Sequence, residues 1–204
     1  MARKVWMVMV LATILLVPVS ASDDEMIRSY QGVGNDYIRI EKPMPEIPSA
    51  MLIGGNQDSD FFSVTSYSEQ GYLVDFLVNT LDPYIGVVPI DIGFDEPTVF
   101  LEIEAAGPWF IEIFPILAIP HLHTGETFTE SGDALVLIHG DATMLSVTGN
   151  ASRRHFSVIA YDVYGDYNGL LVNTTNQYSS RVPLPDNSLI LRVSAVGSWS
   201  IRMD

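Results

Sequence analysis

Apolar and polar residues alternate along most of the chain beyond its N-terminal region, and this alternation predicts β-strands. A period of two, bounded by Gly, Pro, Asn and Asp, is typical of strands with one buried face. Beyond residue 21, no segment keeps a helical spacing of apolar residues over three turns. The pattern therefore predicts an all-β protein. The alternating segments are residues 37–41, 62–67, 99–105, 109–113, 134–138, 156–161 and 189–194.

The same pattern occurs twice. Residues 62–89 align with residues 156–183 without a gap, and twelve of the twenty-eight positions are identical. The stretch Leu-Val-Asn-Thr at residues 77–80 returns at residues 171–174. Further matches upstream and downstream need only short insertions in loops, where length changes are tolerated. The sequence therefore predicts an internal duplication.

Each copy holds enough strand signals for a complete small sandwich. We predict two tandem antiparallel β-sandwich or jelly-roll-like repeats, at residues 22–114 and 121–204, joined by a linker at residues 115–120. The alternative is a single pseudo-symmetric sandwich whose strands are shared between the copies. The repeated asparagines Asn79 and Asn173 are interpreted as structural residues that cap the turn after a strand.

The N-terminus differs from the rest of the chain. Arg3 and Lys4 precede an apolar run that ends at Pro18, and small residues follow up to Ala21. This order predicts a secretory signal peptide at residues 1–21. A spanning helix needs about 20 apolar residues, and the run is shorter. We therefore expect a secreted or cell-surface-associated protein without membrane insertion after cleavage.

The chain is acidic, with a net charge of −15, and it contains no cysteine. Removing Arg3 and Lys4 with the signal peptide would change the net charge to −17. Nucleic-acid affinity depends on lysine and arginine at the phosphates, so this composition argues against a nucleic-acid partner. Because no disulfide can form, the fold must rest on buried apolar surface.

Recurring motifs resemble a known kind of module. Gly-(Asn/Asp), Phe-Ser-Val-x-x-Tyr-x-x-x-Gly, Leu-Val-Asn, Tyr, Val-Pro and Gly-x-Trp follow one another in both copies. This order resembles a tandem β-sandwich module of uncharacterised secreted prokaryotic proteins. Locally, residues 58–62 are similar to the Asp-x-Asp-Tyr-Phe signature of pre-peptidase C-terminal domains, which are non-catalytic jelly rolls. Neither resemblance implies catalytic residues.

Two groups of residues are candidate metal ligands. Asp58 and Asp60 lie one residue apart in a predicted turn, and copy two lacks both acids. Carboxylate oxygens are the ligands that calcium prefers, so this pair is a candidate calcium site. The alternative is a pair of solvated turn acids, and no other cofactor is expected. The histidines of His121-x-His123 would share one strand face and can begin a zinc site, although the spacing fixes no third ligand.

Aromatic residues and sequons complete the candidates. Trp109 and Trp199 recur at equivalent positions, which predicts core packing. Tyr161, Tyr164 and Tyr167 surround one predicted turn and are the candidate ligand platform. Two sequons predict glycosylation at Asn150 and Asn173.

The motifs of the common hydrolases, of phosphate-binding loops and of zinc proteases do not occur in the sequence. We therefore expect a non-catalytic secreted binding protein, whose partner is a glycan or a surface protein. The alternative is a structural component of an envelope or matrix that self-associates through sheet edges.

Overall fold

The computed structural model describes residues 26–93 and 96–204, and the predicted signal peptide lies outside this part. Short strands dominate it, so the all-β prediction is confirmed. The strands of the first half are β1 Arg28–Val33, β2 Asp36–Arg39, β3 Ser49–Gly55, β4 Phe62–Tyr67, β5 Leu73–Thr80, β6 Tyr84–Ile90, β7 Phe100–Ala105 and β8 Pro108–Pro115. One 3-10 turn, Ile116–Ala118, leads into the second half. Its strands are β9 His121–His123, β10 Thr127–Ser131, β11 Ala134–His139, β12 Met144–Gly149, β13 Phe156–Asp162, β14 Tyr167–Thr174, β15 Tyr178–Pro183, β16 Ser188–Ala195 and β17 Ser198–Met203.

Each half forms two sheets. In the first half, sheet I has the order β1-β8-β3-β6 and sheet II has the order β2-β7-β4-β5. In the second half, sheet III has the order β10-β17-β12-β15, and sheet IV has the order β14-β13-β16-β11-β9. Strand β9 has no counterpart in the first half and pairs in parallel with β11. The other strands of the second half repeat the strand order of the first half, with each strand number raised by nine. All other pairings are antiparallel, and every described strand pairs within its own half.

A separate core lies between the two sheets of each half, because alternate residues of every strand point inward. In the first half, Met51 and Ile53 of sheet I pack with Phe62 and Val64 of sheet II. In the second half, Leu145 and Val147 pack with Phe156 and Val158 in the same way. These paired sheets have the layered arrangement of β-sandwiches.

The two recurring tryptophans anchor these cores. Trp109 is 3% exposed and Trp199 is 2% exposed, as the prediction of core packing requires. Each indole Nε1 donates a hydrogen bond of 2.9 Å to a glycine carbonyl, of Gly34 and of Gly132 respectively. The Trp109 ring lies against Gly32, where an added Cβ would come within 2.4 Å of it. Glycine is therefore required for this contact.

A third apolar cluster joins the two halves. Leu135, Leu137, Tyr161 and Ile190 on the outer face of sheet IV pack against Ala50, Ile92, Ile116 and Ile119. The backbone N–H of Val87 also donates to the carbonyl of Asp133 at 2.8 Å. The halves thus share buried surface, and their folding as separate domains stays a prediction.

Candidate functional site

The outer face of sheet II is the candidate site, and we call it the open face. The strand registers place its residues in three rows across the sheet. The first row is Arg39, Phe100, Tyr67 and Leu73; the second is Tyr37, Glu102, Thr65 and Phe76; the third is Glu104, Ser63 and Asn79. Since the residues between them point into the core, these side chains point outward from the first half, although Ser63 and Thr65 are only 8% and 7% exposed.

Aromatic rings form the centre of the open face. The rings of Tyr37 and Phe100 stack with centroids 5.3 Å apart and planes 19° apart. Tyr37 also contacts Tyr67, with centroids 6.2 Å apart. Tyr37 is 54% exposed and Phe76 is 63% exposed. Neighbouring exposed aromatic side chains on one sheet face make this surface a candidate interaction site.

Charged side chains hold these rings in place. The guanidinium of Arg39 lies 5.2 Å from the centre of the Phe100 ring, within the range of a cation–π contact. The same guanidinium donates two hydrogen bonds to Glu69, at 3.1 and 2.8 Å. A bidentate pair fixes the orientation of the planar group. These contacts therefore hold the Arg39 side of the open face in one arrangement before a ligand binds.

Two carboxylates lie beside the rings. The Tyr67 hydroxyl donates to Glu102 at 2.6 Å, and the Ser63 hydroxyl donates to Glu104 at 3.2 Å. The hydrogen bond to Glu102, together with burial and the nearby negative charge, raises the pKa of Tyr67 to about 12. Tyr67 thus stays a neutral donor, while each carboxylate keeps free acceptor positions.

The equivalent face of sheet IV has a different composition and a different environment. Its first row is Leu137, Ile190, Tyr161 and Tyr167, and its second is Leu135, Arg192, Ile159 and Leu170. Here aliphatic residues stand at the positions of Arg39, Phe100, Tyr37 and Phe76. Leu135, Leu137, Tyr161 and Ile190 are buried against the first half, whereas Tyr167 and Leu170 at the end of the rows stay exposed. The corresponding faces of the two halves thus differ, because one carries exposed aromatic residues and the other contributes to the contact between the halves.

This coverage corrects one sequence prediction. Tyr161, proposed as part of a ligand platform, is 7% exposed and belongs to the cluster that joins the halves. Tyr164 and Tyr167 are 84% and 63% exposed at the turn between β13 and β14. Only these two of the three tyrosines are accessible to a ligand.

A pair of buried asparagines organises equivalent loops. The Asn56 amide donates to the carbonyls of Asp60 and Asp82, at 2.6 and 2.9 Å, and accepts from the Asp60 N–H at 2.9 Å. Asn150 makes the same three bonds with Arg154 and Asn176. Asn150 is 3% exposed, and a glycan on its nitrogen would replace one of the two hydrogens that it donates. Asn173, the other sequon asparagine, is exposed.

The proposed calcium ligands lie in the first of these loops. Asp58 and Asp60 are both exposed, and one carboxylate oxygen of Asp60 accepts the N–H of Phe61 at 2.8 Å. Among residues 26–93 and 96–204, no group of three or more His, Asp or Glu side chains is arranged to hold a metal ion. The calcium site stays a prediction.

The histidines come together at the edge of sheet IV. His139 lies 2.9 Å from His121, measured from Nε2 to Nδ1, and the two rings stack with centroids 4.8 Å apart. His123 also stacks with His139, with ring centroids 5.0 Å apart. The sequence had indicated only the pair His121 and His123. His139 joins them because β9 pairs with β11.

The repeated Leu-Val-Asn-Thr stretch also needs a correction. The turn after β5 is closed by the hydroxyl of Thr80, which accepts the N–H of Asp82 at 3.0 Å. Thr174 accepts the N–H of Asn176 at the same distance in the second half. Threonine therefore supplies the cap that had been assigned to Asn79 and Asn173, whose side chains lie on outer sheet faces.

A cleft of about 570 Å³ lies between the halves. It is lined by Asn79, Asp82 and Tyr84 from the first half and by Asp133 and His155 from the second. The Tyr84 hydroxyl donates to one oxygen of Asp133 at 2.8 Å, and the Ala195 N–H donates to the other at 2.8 Å. Burial raises the pKa of Asp133 above its ordinary value, although both donors act in the opposite direction.

Comparisons with known proteins leave the family open. No protein-family model matches the chain, and no curated protein matches it, so the resemblance to secreted tandem modules stays a prediction. One similar solved structure is the PBSX exported protein XepA, with 11% identity, a TM-score of 0.26 and coverage of 85% of this chain and 80% of that one. Another comes from Sulfolobus Turreted Icosahedral Virus, with 8% identity, a TM-score of 0.25 and coverage of 87% and 91%. Likenesses this weak carry no argument about function.

Proposed function

We propose that this protein is a secreted, non-catalytic binding protein that recognises a glycan with the open face of sheet II. The observation that carries the proposal is the stacked, accessible aromatic group of Tyr37, Phe100 and Tyr67 on a rigid sheet. Sites on strands hold their side chains in place better than sites on loops.

The chemistry of the face suits a sugar. Accessible flat rings such as Tyr37 and Phe76 give a large apolar contact area at a low cost in conformational entropy, which matches the apolar face of a sugar ring, and Phe100 supports Tyr37 from below by stacking. Glu102 and Glu104 offer acceptors for hydroxyl groups, and Tyr67 adds a hydrogen-bonding hydroxyl. A few polar groups around an apolar surface fix the orientation of a ligand.

The contrast with sheet IV supports a ligand that binds and leaves. A permanent protein contact favours aliphatic residues like Leu135 and Leu137, which are buried where the halves meet. Obligate interfaces resemble a protein core in this respect. The open face instead carries Arg39, Glu102 and Glu104 among its rings, a composition that is stable in water between binding events.

Secretion is part of the proposal and rests on the sequence of residues 1–21. In the described residues no helix is long and apolar enough to cross a membrane. The high negative charge of the chain favours solubility outside the cell.

The test is glycan binding by the mature chain, measured on an array and then by calorimetry. We compare the Tyr37→Ala, Phe100→Ala double variant with a matched double variant at the second-half turn, Tyr164→Ala, Tyr167→Ala. We expect the first to lose at least about tenfold in affinity, since two stacking contacts disappear, and the second to bind like the natural chain.

Two results would overturn the proposal. Loss of binding in the turn variant alone would move the site to Tyr164 and Tyr167. Absence of glycan binding, together with ordered assemblies in sedimentation or light scattering, would favour the structural, self-associating alternative.

A further inference from the structure

The charges around the open face are unbalanced. Glu102 and Glu104 lie two residues apart on β7 and point to the same side, which places their Cα atoms about 7 Å apart. Arg39 is the one basic residue in the three rows, and its guanidinium is already bound to Glu69. In the described part of the chain, neither Glu102 nor Glu104 forms a salt bridge.

The second half shows that the fold does not require these acids. Arg192 stands at the position of Glu102, and Ser194 stands at the position of Glu104. Arg192 lies 3.7 Å from Asp75 of the first half, so its charge serves the contact between the halves. Within the described residues, the acids of the open face accept hydrogen bonds from the hydroxyls of Tyr67 and Ser63 but have no ion-pair partner, and they lie beside the aromatic group.

We infer that the open face selects a cationic glycan, one whose sugars carry free amino groups. This inference rests on the proposed function and names the ligand class of the same site. An ammonium group on a stacked sugar would lie between Glu102 and Glu104, close to the rings of Tyr37 and Phe100. Carboxylates attract it by charge and aromatic faces by their quadrupole. An acidic glycan would meet the same carboxylates and be repelled.

The experiment measures binding of three oligosaccharides of equal length to the full mature chain. These are a glucosamine oligomer, its N-acetylated neutral counterpart and a galacturonic acid oligomer. We expect the glucosamine oligomer to bind at least about tenfold more tightly than the neutral one, as two surface charge pairs allow. Binding should weaken between 50 and 300 mM salt, as expected for exposed charges. The acidic oligomer should not bind.

Single substitutions test whether Glu102 and Glu104 are the carboxylates that attract the ligand. Glu104→Gln should lower affinity for the glucosamine oligomer about fivefold, the upper range for one exposed pair, and leave the neutral oligomer unaffected. Glu102→Gln should act in the same direction. Asp186→Asn, an exposed acid of the second half, is the control for a general effect of net charge and should change nothing.

The outcomes separate this inference from the proposed function. Equal binding of the neutral and cationic oligomers overturns the inference and leaves the glycan function standing. No binding in any arm overturns both. Binding of a lysine oligomer that equals the glucosamine oligomer and survives Tyr37→Ala indicates a basic protein partner, and it overturns the inference as well.

Discussion

Replacing the buried loop asparagines should destabilise both halves by similar amounts. Asn56 is 4% exposed, and Asn150 is 3% exposed. Each amide makes three hydrogen bonds to backbone groups, at distances from 2.6 to 2.9 Å. Removing the side chain leaves two carbonyls and one N–H without these partners. At about 1 kcal/mol for each bond, the free energy of unfolding should fall by about 3 kcal/mol.

The backbone conformation of the two asparagines adds a second contribution to the loss of stability in the alanine variants. Asn56 has φ of 62° and Asn150 has φ of 59°, a left-handed conformation that asparagine and glycine tolerate better than alanine does. Alanine at either position should therefore cost about 1 kcal/mol more than the lost hydrogen bonds alone. Glycine lacks the steric cost at positive φ but has a larger conformational entropy in the unfolded chain, so the difference between Asn→Ala and Asn→Gly gives the strain less this entropy cost.

Urea unfolding of the full chain measures these losses by linear extrapolation. The four variants are Asn56→Ala, Asn56→Gly, Asn150→Ala and Asn150→Gly. Losses below about 1 kcal/mol, the range of ordinary surface changes, would refute the structural role of the amides. A large loss in only one half would refute the equivalence of the two loops.

Three further predictions follow from other residues. Trp109→Ala and Trp199→Ala should each lower the free energy of unfolding by about 3–5 kcal/mol, the usual cost of a deleted buried aromatic, as measured by the same urea titration. Because burial raises the pKa of Asp133, the stability that this group contributes is present below its unfolded pKa near 3.8 and is lost as the pH rises through the raised folded pKa. Asp133→Asn, which installs the residue found at the equivalent Asn35, should therefore reduce the fall in stability above pH 4 in a pH series of thermal melts. If Asp58 and Asp60 bind calcium, millimolar calcium should raise the melting temperature relative to sodium at matched ionic strength, and Asp58→Asn with Asp60→Asn should abolish the rise.

The strands and the core could be predicted from the sequence because alternation reports directly which side chains point inward. Phe62 and Phe156 fall at corresponding inward positions, and both are 0% exposed. Trp109 and Trp199 could be assigned to the core because the same ring after the same glycine in both copies indicates one structural role. The inward positions follow from neighbouring residues along each strand, and the core position of the tryptophans follows from the comparison of the two copies.

The site could not be predicted in the same way, because it depends on which outer face remains uncovered. Alternation places Tyr37 and Tyr161 outward on their sheets, and both look exposed from sequence alone. Tyr161 is covered by contacts from Ile92 and the linker, which are distant in sequence. The outward position of Phe100 beside Glu102 was the available signal for the open face, but its stacking on Tyr37 arises from a strand pairing more than sixty residues apart.

The group of three histidines could not be predicted either, because it forms through the pairing of β9 with β11, which are separated in the sequence. His121 and His123 could be placed on one strand face, but His139 had no link to them in the sequence pattern.

The asparagine loops could not be predicted for a different reason. Asn56 and Asn150 lie before the gapless alignment, in a stretch where the acids Asp58 and Asp60 differ between the copies. The buried amide, rather than the exposed acids, is the common feature of that loop.

The two halves have the same strand order and so present corresponding outer faces, and the residues on each face decide what it can bind. Where the first half has Arg39, Phe100 and Glu102, the second has Leu137, Ile190 and Arg192. Leu137 and Ile190 are buried against the first half, and Arg192 is placed near Asp75. Because the face of sheet IV is committed to this internal contact, it is not free for an external ligand. In the described residues, no side chain of the three rows on sheet II belongs to the cluster that joins the halves, although Asn79 at one end of the face lines the cleft between them. The open face keeps both its aromatic group and two acids that form no salt bridge there. The observed difference between the two faces is what places the proposed binding site in the first half.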